Sequence, residues 1–253
     1  MEDRILTQDD IDENEHVLKL WEPLHFTVEK GYDYRRLSPF ATGGTVFVRA
    51  VATVLLAVFN RTVYGYKIVG RKNLKSLGKN GAVAICNHIH PMDCTMIDMA
   101  LWKKRMYYVT LESNFRIPLA RHAIRVLGGV PLSPKPHIMG EMFSEMGKAI
   151  GDGAVVQIYP EGVLRPYYRG LRSFKNGAFR LAAEQHAPIV PMVLVQKKPK
   201  GLYRLIKKKP CLQLHILPLL YPKEELNRHE NTQWLKEEAV KKMRAALQTL
   251  DEI

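Results

Sequence analysis

The stretch Ala82-Val83-Ala84-Ile85-Cys86-Asn87-His88-Ile89-His90-Pro91-Met92-Asp93 runs apolar for its first residues and then stops at a polar cluster closed by proline. The run Ala82 to Cys86 has the length and composition of a strand buried on both faces. Pro91 has a preset φ and no N–H to lose, which suits the first turn of a helix. His88 is therefore expected on a strand-to-helix turn, with Asp93 in the opening helical turn. Along a continuous helix, positions five apart project about 140° from one another, so the pair is useful only if the histidine lies outside the helix. Pro91 supplies that break. A carboxylate beside an imidazole fixes its tautomer and stabilises its protonated form, which leaves the other ring nitrogen free to take a proton from a hydroxyl.

Three readings of this cluster stand side by side. His88 and His90 are ordinary turn residues, with Asp93 a first-turn acid complementing the helix dipole. Alternatively, Cys86, His88, His90, Asp93 and Cys94 supply metal ligands, since His-x-His on a strand aims both rings to one side. No matching second cluster of His or Cys follows downstream. The third reading is an acid/base pair, and it gains only from the rest of the chain.

Outward from this stretch, short apolar runs alternate with helical patterns. Ala82–Cys86, Met106–Thr110, Gly129–Leu132, Val155–Tyr159, Ile189–Val195 and Leu212–Leu217 read as strands. Met92–Trp102, Ile138–Ile150 and Phe174–Gln185 read as helices, as does Trp234–Leu250 with an apolar stripe of Leu235, Val240, Met243, Leu247 and Leu250. This alternation predicts an α/β fold, a mostly parallel sheet flanked by helices. Before it, residues 1 to about 40 are polar and acid-rich, read as a weakly ordered or docking arm with a short helix around Glu15 to Trp21. Val46–Phe59 is then apolar on nearly every face apart from Arg49. Spanning a bilayer takes about 20 such residues, so the run falls short unless it recruits Asn60 to Tyr66. It reads either as a buried core helix or as a helix in the membrane interface with Arg49, Arg61, Lys67, Arg71 and Lys72 near anionic head groups. The expected division is an arm with a membrane-interacting helix over residues 1–64 and a catalytic domain over 65–253.

Composition narrows the partners. A net charge of +13 with a pI near 9.6 points to nucleic acid, an anionic membrane or a phosphorylated substrate. The cations concentrate at Lys197–Lys209, a stretch that reads either as a solvated loop or β-hairpin edge guarded by lysine, or as a contact for lipid phosphates or a phosphorylated cofactor. No aromatic stacking array or nucleic-acid-binding motif accompanies the charge, so no nucleic-acid partner is expected. Cys86, Cys94 and Cys211 are scattered without pairing or zinc spacing, as in a reducing compartment. The acidic N-terminus lacks the pattern of a signal peptide.

A second cluster, Gln157-Ile158-Tyr159-Pro160-Glu161-Gly162, again ends a strand in a turn carrying one acid. Pro and Gly explain the turn, but nothing structural explains Glu161. Arg165, Arg169, Arg172 and Lys175 follow and lead into Ser173–Ala182, a helix expected to have a cationic first turn. Cations there oppose the dipole unless an anion lies between them, and a phosphate would serve. In an open α/β sheet, ligands gather at the carboxyl ends of the strands.

Taken together, Asn87-His88-x-x-x-x-Asp93, Gly128-Gly129-Val130-Pro131-Leu132, Tyr159-Pro160-Glu161-Gly162, Phe174-Lys175-Asn176-Gly177 and Ala187-Pro188-Ile189-Val190-Pro191 resemble the ordered blocks of the glycerolipid acyltransferases typified by lysophosphatidic acid acyltransferase. The resemblance covers about Gly65 to Leu220. It implies transfer of a fatty acyl group from acyl-coenzyme A or acyl carrier protein to a lysophospholipid hydroxyl at the cytoplasmic face of a membrane, with no cofactor and no metal. His88 would be the general base and Asp93 its orienting acid. Asn87, Pro160, Glu161 and Gly162 would bind substrate, and Pro191 would shape the last block. In two places the family usually has a phosphate-binding arginine that is absent here. Leu132-Ser133-Pro134-Lys135 ends the second block, and Val163-Leu164 replaces Thr-Arg after the third. Lys135, Arg165 and Lys175 are the expected substitutes, each a point charge or fork for phosphate. The alternatives are another lysolipid acceptor, a lipid-binding protein without turnover, or a metallohydrolase using Cys86, His88 and His90.

Overall fold

The computed structural model describes residues 24–36, 39–118 and 120–251. The expected helix around Glu15 to Trp21 and the side chain of Arg49 lie outside the described residues. Within the described residues, seven strands form one sheet: β1 (Lys67–Val69), β2 (Ala82–Cys86), β3 (Met106–Leu111), β4 (Gly129–Leu132), β5 (Val155–Ile158), β6 (Ile189–Lys197) and β7 (Cys211–Ile216). Their order is β1-β7-β6-β2-β5-β3-β4, and every neighbouring pair is parallel except β6 with β7. The expected mostly parallel α/β sheet is the observed one.

Among the described residues, seven α-helices accompany it: α1 (Pro39–Tyr64), α2 (Asp93–Ala100), α3 (Ala120–Val126), α4 (Pro136–Gly151), α5 (Gly177–Glu184), α6 (Leu202–Ile206) and α7 (Arg228–Asp251). Alternation along the central strands divides the core between the two faces. Val83 and Ile85 of β2 join Val193 and Val195 of β6 against α4, α5 and α7. Ala82, Ala84 and Cys86 join Val190, Met192 and Leu194 against α2. All five residues of β2 are buried, which is why its sequence shows no polar alternation. The edges are a three-residue strand and a four-residue strand containing Pro131, both poor templates for further pairing. Gly128, just before β4, has φ +97°, and a Cβ there would stand 2.3 Å from the Met106 carbonyl oxygen. Only glycine allows this approach between the edge strand and β3.

The polar N-terminal arm proves to be a docking arm where it is described. Val28 is buried, its N–H donates to the Glu112 carboxylate at 3.2 Å, and Phe26 stacks on Phe115 with ring centroids 5.0 Å apart. Helix α1 contains the apolar run, extended at both ends to 26 residues. It lies against α2 through polar contacts. Thr53 Oγ1 donates to Asp98 Oδ2 at 2.8 Å, and Asn60 Nδ2 donates to Thr95 Oγ1 at 3.0 Å. Its opposite face exposes Val54, Leu55 and Val58. The reading as a buried core helix is not met, because one face is packed on the protein and the other is exposed. Among the described residues, no helix is long and apolar enough to cross a membrane.

Candidate active site

The register between β2 and β5 sets the site. Ile85 lies opposite Ile158, so the two parallel strands end level and release His88 and Glu161 at the same rim. Asn87 continues β2 for one more residue in side-chain form. Its Oδ1 accepts the Leu194 N–H at 2.7 Å and its Nδ2 donates to the Leu194 carbonyl at 3.0 Å. These bonds tie the turn to β6, and Asn87 is buried. Of the expected substrate ligands, it is therefore one whose described bonds are structural.

From Asn87 the chain turns through His88 to Met92 and enters α2 at Asp93. Pro91 sits in this turn ahead of the helix rather than in its first turn, because the Asp93 N–H reaches back to the His90 carbonyl at 3.0 Å and closes a turn first. The purpose of the break is met all the same. His88 Nδ1 lies 2.7 Å from Asp93 Oδ2, and the Asp93 side chain is 1% exposed against 21% for His88. An ionised carboxylate only accepts, so the imidazole proton sits on Nδ1 and Nε2 keeps its lone pair. Asp93 is also the first residue of its helix, where the dipole favours an anion.

Tyr159 completes the pair. Its hydroxyl donates to Asp93 Oδ1 at 2.5 Å, and its ring stacks on the His88 imidazole at a centroid distance of 3.9 Å and an angle of 12°. Burial pushes the Tyr159 phenol well above its ordinary range, and the Asp93 charge adds to this, so it stays a donor. Both carboxylate oxygens of Asp93 are thus held. Reading the sequence alone assigned Tyr159 to a strand end and gave it no role. The available signal was a phenol closing a buried strand, since a buried hydroxyl requires a partner.

Glu161 is buried, with Oε2 accepting the His88 backbone N–H at 3.3 Å and Oε1 the Arg172 backbone N–H at 3.3 Å. Burial raises its carboxyl pKa, and these two N–H groups oppose the rise. The turn beneath it follows from Pro160 and Gly162: Gly162 N–H donates to the Tyr159 carbonyl at 3.0 Å, and Gly162 has φ +77°. Lys175 lies along this turn. Its N–H donates to the Pro160 carbonyl at 2.8 Å, and a Cβ at Gly162 would stand 3.1 Å from its Nζ. Arg165 N–H donates to the His88 carbonyl at 2.9 Å, which brings the second loop onto the first. Val163, where the family has threonine, is buried, and its carbonyl accepts from Arg172 at 3.3 Å.

Two expectations change in detail. Helix α5 begins at Gly177, so Lys175 and Arg172 stand ahead of it rather than in its first turn. The first turn itself carries no cation before Arg180, and the carboxylate that interacts with Arg172 is the protein's own Glu161. Lys135 lies at the same rim but beyond β4, three strands from β2. At about 4.8 Å per strand this is roughly 14 Å to the side. His90 turns away from the pair: its Nδ1 accepts the Met92 N–H at 3.1 Å, and its ring packs 4.6 Å from that of Tyr64. Among the described residues, no three His, Cys, Asp or Glu side chains are grouped to hold a metal ion.

The site as built can accept a proton at His88 Nε2 and stabilise the resulting imidazolium through Asp93, with Arg165 and Lys175 carried on the adjoining loop. A family model described as Acyltransferase matches residues 65–195. A 1-acyl-sn-glycerol-3-phosphate acyltransferase of Brassica napus chloroplasts, BAT2, is 30% identical over 134 residues, 52% of this chain and 38% of that protein. The chain therefore spans well under half the length of this relative. The crystal structure of PlsC, a 1-acyl-sn-glycerophosphate acyltransferase from Thermotoga maritima, superposes with a TM-score of 0.58 at 19% identity. The match covers 84% of this chain and 89% of that one, a likeness of fold.

Proposed function

Because the chain belongs to the acyltransferase family, we propose that it transfers a fatty acyl group from an acyl thioester, acyl-coenzyme A or acyl carrier protein, to the free hydroxyl of lysophosphatidic acid. The observation that carries this reading is the His88–Asp93 contact, with Nε2 left as an acceptor on a partly exposed ring. His88 Nε2 takes the hydroxyl proton as the oxygen attacks the thioester carbonyl. The tetrahedral intermediate collapses, the carbon–sulfur bond breaks, and the imidazolium returns its proton to the leaving thiolate. A thioester already carries a good leaving group, so a positioned base and correct placement of two amphiphiles meet most of the demand. No covalent acyl-enzyme or cofactor is required.

Arg165 and Lys175 are assigned to the acceptor phosphate, with Lys135 farther along the rim. Glu161 acts by holding the two loops together, since its observed bonds go to backbone N–H groups. The name of the Brassica napus relative supports lysophosphatidic acid as acceptor. Buried Val163 in place of the family threonine, and Leu164 in place of its arginine, favour testing other lysolipid heads as well. Attachment to the membrane is assigned to the open apolar face of α1. The test is thiol release and phospholipid formation with acyl-coenzyme A or acyl carrier protein against a panel of lysolipids. We expect turnover with lysophosphatidic acid above that with uncharged monoacylglycerol. Absence of thiol release with every donor and acceptor would refute the proposal.

A further inference from the structure

The stretch between β6 and β7 carries the largest feature that the site does not use. Met192 of β6 lies opposite Cys86, the last residue of β2, yet β6 continues to Lys197. Five further residues at about 3.3 Å each carry the antiparallel β6–β7 pair roughly 16 Å past the end of β2, on the rim that bears His88. Helix α6 caps this projection and turns Leu202, Leu205 and Ile206 outward at 71%, 82% and 65% exposure. A five-residue helix has no stability of its own. It is held instead by α1: the Tyr203 hydroxyl donates to the Arg61 carbonyl, and Lys207 Nζ donates to the Val63 carbonyl. Helix α6 therefore adjoins the C-terminal end of α1, where Phe59 and Val63 are also exposed. Tyr64 at the end of α1 packs on His90, two residues from the base.

Charge surrounds this apolar tip. From Lys197 to Lys209 there are seven cations and no acid, and Lys198, Lys200, Arg204, Lys208 and Lys209 are exposed. We propose that α6 and its lysines form a second membrane contact that inserts Leu202, Leu205 and Ile206 among the acyl chains of an anionic phospholipid bilayer while the cations meet head-group phosphates. Exposed branched aliphatics between cations fit a lipid interface, where apolar area and attraction to anionic lipid act together. A nucleic acid would leave them in water. With α1 and α6 both engaged, the rim of His88 faces the bilayer, and a lysolipid reaches the base without leaving the membrane. The choice of partner rests on the lysolipid reading above, but the contact is tested apart from turnover.

The test uses the full chain and vesicles of phosphatidylcholine with about 30 mol % phosphatidylglycerol, or of phosphatidylcholine alone. Leu202→Ser/Leu205→Ser/Ile206→Ser should lower cosedimentation with the anionic vesicles about tenfold or more, with an unchanged circular dichroism spectrum. The wild type should bind the neutral vesicles more weakly. Leu205→Trp gives a second readout, a blue shift of the added emission when anionic vesicles are present. Wild-type binding by the triple variant, with loss only in Val54→Ser/Leu55→Ser/Val58→Ser of α1, would overturn the role of α6. An unshifted Leu205→Trp emission would do the same, as would failure of the wild type to bind either vesicle. Thiol release with a short-chain, water-soluble lysolipid, measured on the same wild-type protein, decides the acyltransfer reading separately.

Discussion

Asp93 holds one bond on each carboxylate oxygen, and only one of them comes from the base. The Tyr159 hydroxyl takes the other while its ring lies flat on His88. Tyr159→Phe keeps the stacking and removes the bond, so the carboxylate loses a restraint on its orientation. Hydrogen bonds to charged acceptors contribute about 1.5–3 kcal/mol, and we expect kcat to fall about tenfold, near 1.4 kcal/mol of barrier, with KM unchanged. Steady-state kinetics with a saturating donor check this, and a raised KM at unchanged kcat would instead put Tyr159 in substrate binding. His88 and Asp93 were legible in the sequence because their relation is local: five residues and a proline. Tyr159 was not, because its hydroxyl meets Asp93 only through the pairing of Ile85 with Ile158, a register between distant strands. Glu161 was legible as an unexplained acid, but its partners, the N–H groups of His88 and Arg172, were not.

Within the turn from β2 to α2, His90 has a structural task. Burial lowers its pKa from the ordinary 6.5, with Lys209 and Lys207 adding to the fall and Asp93 opposing it. The folded protein therefore resists protonating His90 at a pH where the unfolded chain accepts the proton. Stability from this group is fully present above about 6.5 and declines as pH falls below it toward the lowered value. His90→Asn keeps an acceptor for the Met92 N–H, since asparagine bonds the N–H two residues on, and it removes the titration. We expect thermal midpoints across pH 7 to 5 to fall less steeply in this variant than in the wild type, and parallel curves would contradict the assignment. Other elements show why boundaries escaped the sequence. The final helix starts at Arg228 rather than Trp234 because Asn227 Oδ1 accepts the N–H groups of His229 and Glu230, and Glu230 returns a bond to the Asn227 N–H. That capping box was present in the sequence, ahead of the apolar stripe used to place the helix. Helix α6 was hidden because its apolar residues lie among lysines and pack outward, so no core periodicity marks it.

Across the whole molecule, α1 belongs structurally to the sheet that follows it. Asp98 of α2 is buried and accepts the hydroxyls of Thr53 from α1 and Tyr108 from β3, each at 2.8 Å. Asp98→Ala leaves both hydroxyls without that acceptor, and we expect a loss of about 2 kcal/mol. For a chain of this size that is a fall in thermal midpoint of roughly 4–8 °C, read by calorimetry. An unchanged midpoint would show that α1 is not fastened through this residue. The layered parallel sheet was legible from alternating strand and helix patterns, whereas the antiparallel return of β7 was legible only as one reading of the lysine-rich stretch, a β-hairpin edge, because an outward-facing tip leaves no core pattern to choose it over a solvated loop. All of this architecture serves one arrangement, an imidazole held by a buried carboxylate at the rim where β2 and β5 end level. Product formation from acyl thioester and lysophosphatidic acid by His88→Ala, beside the wild type, tests that arrangement most directly. General-base catalysis is typically worth about 10²–10⁴-fold, so we expect a loss in that range with the fold intact, and turnover within about twofold of wild type would contradict it.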